Sequence, residues 1–286
     1  MIIFHDPRCV EYSRVGHVER PARVARTVPL LRERHPQWGW RLPQPASDVA
    51  VQRAHSTAHV DAIRRAADDF DSDCPAYKDV FQHSLRASGA AVEVARSARA
   101  GELSFSLMRP PGHHALRDGA MGFCYFNHIA IAALDALASG VERVAIWDFD
   151  AHHGNGTEAI VRGNAQIAFS SIHQYPGWPG TGTHSFDNID NHPVSPGSPR
   201  GTHMREIERG LQTLLAFTPD LLLVSAGFDA YAGDPITDMT LQPDDFAVCA
   251  KWLRDCGVPA GAVLEGGYSD DLPDLIDAFL TSWTDE

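Results

Sequence analysis

Residues 143–156 read Arg-Val-Ala-Ile-Trp-Asp-Phe-Asp-Ala-His-His-Gly-Asn-Gly. The run before the first aspartate is mostly apolar and β-prone, which is typical of a short buried strand, and the glycines after the histidines indicate a turn. Because side chains alternate across a strand, Asp148, Asp150 and His152 are predicted to share one face near its C-terminal end. Open α/β sheets bind their ligands at that end. The stretch therefore predicts a buried strand that carries three potential metal-binding side chains.

Short apolar segments recur on both sides of this stretch, and helical patterns separate them. Further strands are predicted at residues 1–5, 49–51, 103–108, 167–172, 221–225 and 260–264. Helices are predicted at residues 21–35, 56–69, 80–100, 127–139, 157–162, 203–217, 244–256 and 272–283. Residues 36–47 are predicted to be irregular. Residues 174–202 are rich in Gly, Pro, Ser and Asn, and we expect a long structureless loop there, of the kind that is usually functional.

The alternation of strands and helices defines the expected fold class. It predicts an α/β fold in which helices cover both faces of a mostly parallel sheet. No linker, repeat or low-complexity segment interrupts the pattern. Residues 1–286 are therefore predicted to form a single domain.

The composition is that of an ordinary globular protein, with 44% hydrophobic and 21% charged residues. No apolar run approaches the roughly 20 residues that span a bilayer, and the N-terminus does not resemble a signal peptide, so we expect a cytoplasmic protein without a membrane partner. The net charge of −13 argues against a nucleic acid partner and would attract a cationic substrate. The five cysteines are scattered without a C-x-x-C pair, which indicates reduced thiols. The oligomeric state is left open.

Reactive side chains follow several of the predicted strands. They are the pair His113-His114, the group from Asp148 to His152, Asp229 and Tyr268. Alone, each has an ordinary structural explanation, such as a helix cap or a packed aromatic ring. In a parallel sheet, however, all of these strand exits lie on one edge. Two carboxylates and one imidazole, with a position left for water, suit a catalytic zinc ion, and the carboxylates also suit iron(II) or manganese.

Five segments carry a specific resemblance. Residues 109–115 read Arg-Pro-Pro-Gly-His-His-Ala, residues 122–127 Gly-Phe-Cys-Tyr-Phe-Asn, residues 148–157 Asp-Phe-Asp-Ala-His-His-Gly-Asn-Gly-Thr, residues 225–229 Ser-Ala-Gly-Phe-Asp and residues 265–268 Glu-Gly-Gly-Tyr. In order and spacing they resemble the histone deacetylase and acetylpolyamine amidohydrolase family. The resemblance runs from about His17 to the last predicted helix, and it implies a three-layer α/β/α fold with a mainly parallel sheet of eight strands, shared with arginases.

The resemblance also implies metal ligands. Asp150, His152 and Asp229 match the zinc ligands of the family, whose remaining position holds water and the substrate carbonyl. Asp148 matches a residue that hydrogen-bonds the first histidine of the pair and helps to bind a structural potassium ion. The remaining implied potassium ligands are Ser171 and the carbonyls of Asp148, Asp150, His152 and Ile172.

Catalytic roles follow by the same resemblance. His114 matches the general base toward water and the general acid toward the leaving amine, with Asn155 as its orienting partner. His113 would assist electrostatically. Tyr268 would donate its hydroxyl to the oxyanion. The implied activity is zinc-dependent removal of an acetyl or short acyl group from an amine such as acetyllysine or an acetylpolyamine.

Substrate contacts are implied at five positions. Phe123 and Trp178 match two aromatic residues that line the substrate tunnel, with Gly122 beside the first, and Trp178 replaces the more usual phenylalanine. Asp73 matches a rim aspartate that holds backbone amides or a cationic amine. Ile236 stands where a glutamate favours acetylpolyamines in one branch, and an apolar residue there fits acetyllysine or either class.

Two departures and two alternatives accompany this interpretation. His17-Val18-Glu19 replaces the common His-Pro-Glu, and Glu265 and Ser269 stand where many members have Gly and Asn. An arginase-like ureohydrolase is the alternative enzyme, although its two-metal, aspartate-rich cluster fits less well with the histidine pair. A metal-bound module that recognises acyl-amines without turnover is the alternative outside enzymes.

Overall fold

A computed structural model describes residues 1–285 of the chain. Within them, eight strands form one sheet in the order β2-β1-β3-β8-β7-β4-β5-β6. The strands are β1 Ile2–Phe4, β2 Gly39–Arg41, β3 Ser104–Ser106, β4 Val144–Asp148, β5 Ile167–Gln174, β6 Ile189–Val194, β7 Leu221–Ala226 and β8 Ala260–Leu264. Every neighbouring pair is parallel. The predicted α/β class and the eight-stranded sheet are therefore confirmed.

Helices cover both faces of this sheet. They are α1 Ala22–Ala25, α2 Thr27–Arg34, α3 Asp48–Ala54, α4 Thr57–Arg64, α5 Val80–Arg99, α6 His128–Ala138, α7 Asn155–Val161, α8 Arg200–Ala216, α9 Pro243–Asp255 and α10 Leu272–Thr284. Ala145 and Trp147 of β4 pack in one core cluster with α2, α8, α9 and α10, while Val144 and Ile146 pack in a second with α3, α4, α6 and α7. In the described part of the chain, no helix combines the length and apolar character needed to span a membrane.

Two predictions, one of a strand and one of a helix, need correction. Residues 49–51, predicted as a strand, lie inside α3, because the Ser47 hydroxyl accepts a hydrogen bond from the Ala50 amide at 3.2 Å and caps a helix there. Three apolar residues do not outweigh a good N-cap. The single helix predicted at residues 21–35 is divided into α1 and α2.

Both edge strands lie where no strand was predicted. β2 lies in the segment predicted to be irregular, and β6 lies inside the loop predicted to be structureless. An edge strand pairs on one side only, so it tolerates polar residues and Pro193, whose ring nitrogen has no hydrogen to donate. The predicted long loop is thus two shorter loops on either side of β6.

The order of the strands determines where the reactive residues meet. β3, β8, β7 and β4 are consecutive neighbours, and their C-terminal ends lie on the same edge. The register pairs Asp148 of β4 with Ser225 of β7, and Ala226 of β7 with Leu264 of β8. The loops that carry His113, Tyr268 and Asp229 therefore leave the sheet beside the loop of Asp150 and His152.

Candidate active site

Asp150, His152 and Asp229 form the centre of this edge. Their donor atoms all lie within 4.8 Å of one another. The His152 Nδ1 atom is 2.7 Å from Asp229 Oδ2 and 3.3 Å from Asp150 Oδ1. Both carboxylates are fully buried, and burial together with the neighbouring Asp150 carboxylate raises the pKa of Asp229. Two buried carboxylates and one imidazole at this spacing fit a small divalent cation such as zinc.

Backbone amides hold the two carboxylates in place. The Gly266 amide donates to Asp150 Oδ2 at 2.7 Å, and the Ala151 amide donates to Asp229 Oδ1 at 2.8 Å. A Cβ atom at Gly266 would lie 2.5 Å from an oxygen of each carboxylate. Only glycine lets the chain after β8 approach the cluster so closely.

Asp148 does not lie in this cluster. Its Oδ2 atom is 3.0 Å from His113 Nδ1, and its Oδ1 accepts the Asp150 amide at 3.2 Å. Strand β4 ends at Asp148, so the alternation used to predict three ligands on one face stops there. That expectation from spacing is wrong for Asp148, and the hydrogen bond to His113 that the resemblance implied is present.

The histidine pair lies next to the cluster, with ring centroids 3.9 Å apart. Burial lowers the pKa of His114 well below its usual value, and His113 and His152 lower it further. Burial also disfavours charge on His113, but Asp150 and Asp148 outweigh it and raise the His113 pKa. The His114 Nδ1 atom is 2.8 Å from the side-chain oxygen of Asn155. The lowered pKa favours the neutral imidazole of His114, and the bond to Asn155 orients its ring.

Tyr268 faces these histidines from the loop after β8. Its ring is 6% exposed and meets Phe123 edge-on at 5.6 Å between centroids. Burial raises the pKa of its phenol well above the usual value, so the hydroxyl group stays protonated and can donate a hydrogen bond. Its backbone amide donates to Asp234 Oδ2 at 2.7 Å.

A cavity of about 220 Å³ opens above the cluster. Its lining residues are Asp73, His114, Gly122, Phe123, His152, Trp178, Ile236 and Tyr268. The structure thus brings all five predicted substrate contacts together with His114, His152 and Tyr268. A larger surface groove of about 940 Å³ lies between β5, β6 and α8. No histidine lines it, and neither Asp150 nor Asp229 does. We assign the chemistry to the smaller cavity because the reactive groups converge there.

The implied potassium ligands lie together on the neighbouring strands. Asp148 of β4 pairs with Ser171 of β5, and Ile172 follows. The Ser171 hydroxyl is 3.0 Å from His173 Nδ1 and accepts the Gly154 amide at 3.4 Å. The arrangement places these residues directly beneath the loop of Asp150 and His152.

Several residues have supporting roles that were not predicted from the sequence. Arg109 is fully buried and donates to both carboxylate oxygens of Glu19, at 2.5 and 2.8 Å. Asp234 is buried behind Tyr268, where burial and Asp229 raise its pKa to about 7. Glu265 lies beneath His113. Glu19 belongs to the segment His17-Val18-Glu19, which departs from the common His-Pro-Glu. Its buried ion pair with Arg109 anchors the loop that begins at Arg109.

The parallel α/β sheet thus carries a cluster of Asp and His side chains with metal-ligand spacing, and a histidine pair beside it, at its strand ends. Residues 17–282 match the histone deacetylase domain, and the chain belongs to that family. It is 36% identical over 279 residues to a histone deacetylase-like amidohydrolase of Pseudomonas aeruginosa, covering 89% of this chain and 73% of the relative. It is 34% identical to a probable deacetylase of Methanothermobacter thermautotrophicus, covering 95% and 86%.

A solved structure is similar over almost the whole chain. The acetylpolyamine aminohydrolase of Burkholderia pseudomallei has a TM-score of 0.90 and 25% identity, with 99% of this chain and 98% of that chain covered. The family and the fold implied by the sequence motifs are thereby confirmed.

Proposed function

We propose that the protein is a zinc-dependent deacetylase that removes an acetyl or short acyl group from an amine such as acetyllysine or an acetylpolyamine. The observation that carries this proposal is the cluster of Asp150, His152 and Asp229 at the floor of an aromatic-walled cavity, with His114 and Tyr268 in the same wall. When bound there, zinc would polarise the substrate carbonyl and lower the pKa of water.

In this mechanism His114 transfers the protons, and His113 and Tyr268 stabilise the charge that develops. Neutral His114 takes a proton from the attacking water as its oxygen bonds to the acyl carbon. The charge of His113, paired with Asp148, stabilises the negative charge that develops next to it. The hydroxyl group of Tyr268 donates a hydrogen bond to the former carbonyl oxygen. As the C–N bond breaks, His114 returns the proton to the amine, and the products are acetate and a free amine.

The shape of the cavity favours a long, narrow acyl-amine. Phe123 and Trp178 shield the methylenes of such a substrate, and Asp73 at the rim would accept hydrogen bonds from backbone amides or a cationic amine. Ile236 contributes an apolar wall, which leaves both acetyllysine and acetylpolyamines as substrates. We further propose that a potassium ion binds at Asp148, Ser171 and Ile172 and stabilises the loop of the metal ligands.

An arginase-like ureohydrolase is less well supported. Among residues 1–285, the His, Cys, Asp and Glu side chains offer one grouping with metal-ligand spacing, whereas that chemistry uses two adjacent metal ions. A binding module without turnover is less well supported, because a buried histidine pair beside a cluster with metal-ligand spacing is typical of a catalytic site.

The test is a substrate screen with purified, zinc-loaded protein. Acetyllysine peptides, acetylpolyamines and small N-acyl amines are each incubated with the protein, and free acetate and amine are measured. We expect release from at least one class, and none after the metal is removed by chelation. Equal inactivity on all three classes by protein that holds zinc would contradict the deacetylase proposal.

Trp178 should limit the width of the channel that holds the methylenes of the substrate. Its indole is 4.6 Å from the His114 ring and 5.8 Å from the His152 ring, between centroids. Trp178→Phe is expected to raise kcat/KM for an acetyl-amine with a methyl-branched chain relative to the unbranched acetyl-amine by about tenfold, the scale of one or two methylenes in an apolar site. Trp252→Phe, on α9, is the matched control. An unchanged ratio in Trp178→Phe would contradict this role.

A further inference from the structure

Glu265 is a buried carboxylate that the mechanism above does not use. It has no exposed surface. Its Oε2 atom accepts two backbone hydrogen bonds, from the Gly112 amide at 2.7 Å and from the His113 amide at 3.2 Å. Its Oε1 atom accepts a bond from the Ser225 hydroxyl at 3.3 Å. The side chain therefore lies against the backbone of the loop that carries the histidine pair.

The sheet itself cannot satisfy these amides. Strands β3 and β8 are neighbours, and their register extends to the pair Ser106 and Val263. Beyond that pair their exit loops separate, and the amides of Gly112 and His113 have no partner strand. A buried N–H without an acceptor costs about 1–3 kcal/mol, so this loop needs an acceptor from elsewhere. The Glu265 carboxylate supplies it.

Glu265 is itself held firmly on the other side. Its amide donates to the Ala226 carbonyl at 3.0 Å, and its carbonyl accepts a bond from the Arg23 guanidinium. Tyr268 follows three residues later in the same loop. Glu265 thus joins the loop of the proton-transferring histidines to the loop of the oxyanion donor.

The surroundings of Glu265 disfavour its negative charge but not its hydrogen bonds. Burial raises the pKa of Glu265 to about 7, although His113 and the Gly112 amide oppose that rise. A carboxyl group that is easily neutralised can still accept both amide hydrogen bonds through one oxygen.

We propose that Glu265 is a positioning residue that fixes the His113-His114 loop relative to Tyr268 by accepting the backbone hydrogen bonds of Gly112 and His113. This inference rests on the deacetylase function proposed above. A displacement of about 1 Å between reacting groups can cost about 100-fold in rate, so the length of the Glu265 side chain controls turnover.

Two conservative variants separate position from charge. Glu265→Gln keeps the length and an acceptor oxygen, and its new NH₂ group can donate to Ser225. Glu265→Asp keeps the charge but withdraws the carboxylate by one methylene. We expect Glu265→Gln to retain kcat within about threefold, and Glu265→Asp to lose about 10- to 100-fold in kcat with little change in KM and unchanged metal content.

The same variants are also compared by amide hydrogen exchange at Gly112 and His113, which does not depend on turnover. Exchange should stay slow in Glu265→Gln and become at least about tenfold faster in Glu265→Asp, because local opening is easier when a hydrogen bond is lost. Asp245→Asn is the control for a buried carboxylate elsewhere, since Asp245 caps α9 and pairs with Arg200. It should change neither kcat nor this exchange.

The outcomes distinguish the two proposals. If Glu265→Asp keeps the wild-type kcat and exchange while Glu265→Gln loses activity, charge is what matters and the positioning role is wrong. If wild-type protein cleaves no acyl-amine but the exchange pattern is as expected, the deacetylase proposal fails and Glu265 still holds the loop. Unchanged exchange in Glu265→Asp in an active enzyme overturns the positioning role alone.

Discussion

Asp229→Ala is expected to abolish turnover and metal binding together. Asp229 Oδ2 lies 2.7 Å from the His152 ring, so the side chain is one of the three donors that face each other. Its other oxygen accepts the Ala151 amide and thereby shapes the turn between Asp150 and His152. The substitution therefore removes one ligand and loosens the other two.

The magnitude should exceed that of losing an outer hydrogen bond near a metal, which costs about 10- to 100-fold in affinity. We expect zinc affinity to fall by more than about 100-fold and acetate release to fall below detection. The measurements are zinc per chain after dialysis and initial rate. Asp238→Ala, an exposed residue of the same exit loop, should leave both unchanged. A full zinc content in Asp229→Ala would contradict the assignment of this ligand.

Tyr268→Phe is expected to remove turnover while the metal stays bound. The ring stays packed against Phe123 in either variant, so the substitution deletes only the hydroxyl at the cavity. Removing one donor to a developing oxyanion costs about 100- to 1,000-fold in kcat, or about 3–4 kcal/mol. KM and the melting temperature should change little.

The control for this variant is Tyr231→Phe. Tyr231 lies near the same edge, and its hydroxyl donates to Asp271 at 3.0 Å, away from the cavity. It should keep the wild-type rate. Steady-state kinetics with zinc content measured on the same samples separates the two residues. A Tyr268→Phe protein with wild-type kcat would show that the oxyanion is stabilised by other groups.

The central part of the fold was predictable because its strands are buried on both faces. Val144 to Trp147 and Leu221 to Val224 read as apolar runs, which have few alternatives to a central parallel strand. The edge strands β2 and β6 were missed for the opposite reason. Their polar residues and Pro193 are permitted by one-sided pairing, so they leave no apolar run to detect.

In the candidate site, too, some residues could be predicted from the sequence and others could not. Residues that do chemistry, such as His114 and Tyr268, stand out by type and by their place after a strand. Residues that support the backbone do not. Glu265 bonds to an amide 153 positions away, and Arg109 pairs with a carboxylate 90 positions away. Such partners become neighbours only through strand order, which no local pattern encodes.

A zinc titration of metal-free protein is the most direct test of a single catalytic metal site. Protein stripped by chelation is supplied with increasing zinc, and acetate release from the best substrate of the screen is measured at each ratio. We predict that the rate rises linearly and reaches its plateau at about one zinc ion per chain, the stoichiometry of a single catalytic site with three protein ligands. A plateau at two ions per chain, or a rate that does not depend on added metal, would contradict a single-metal deacetylase.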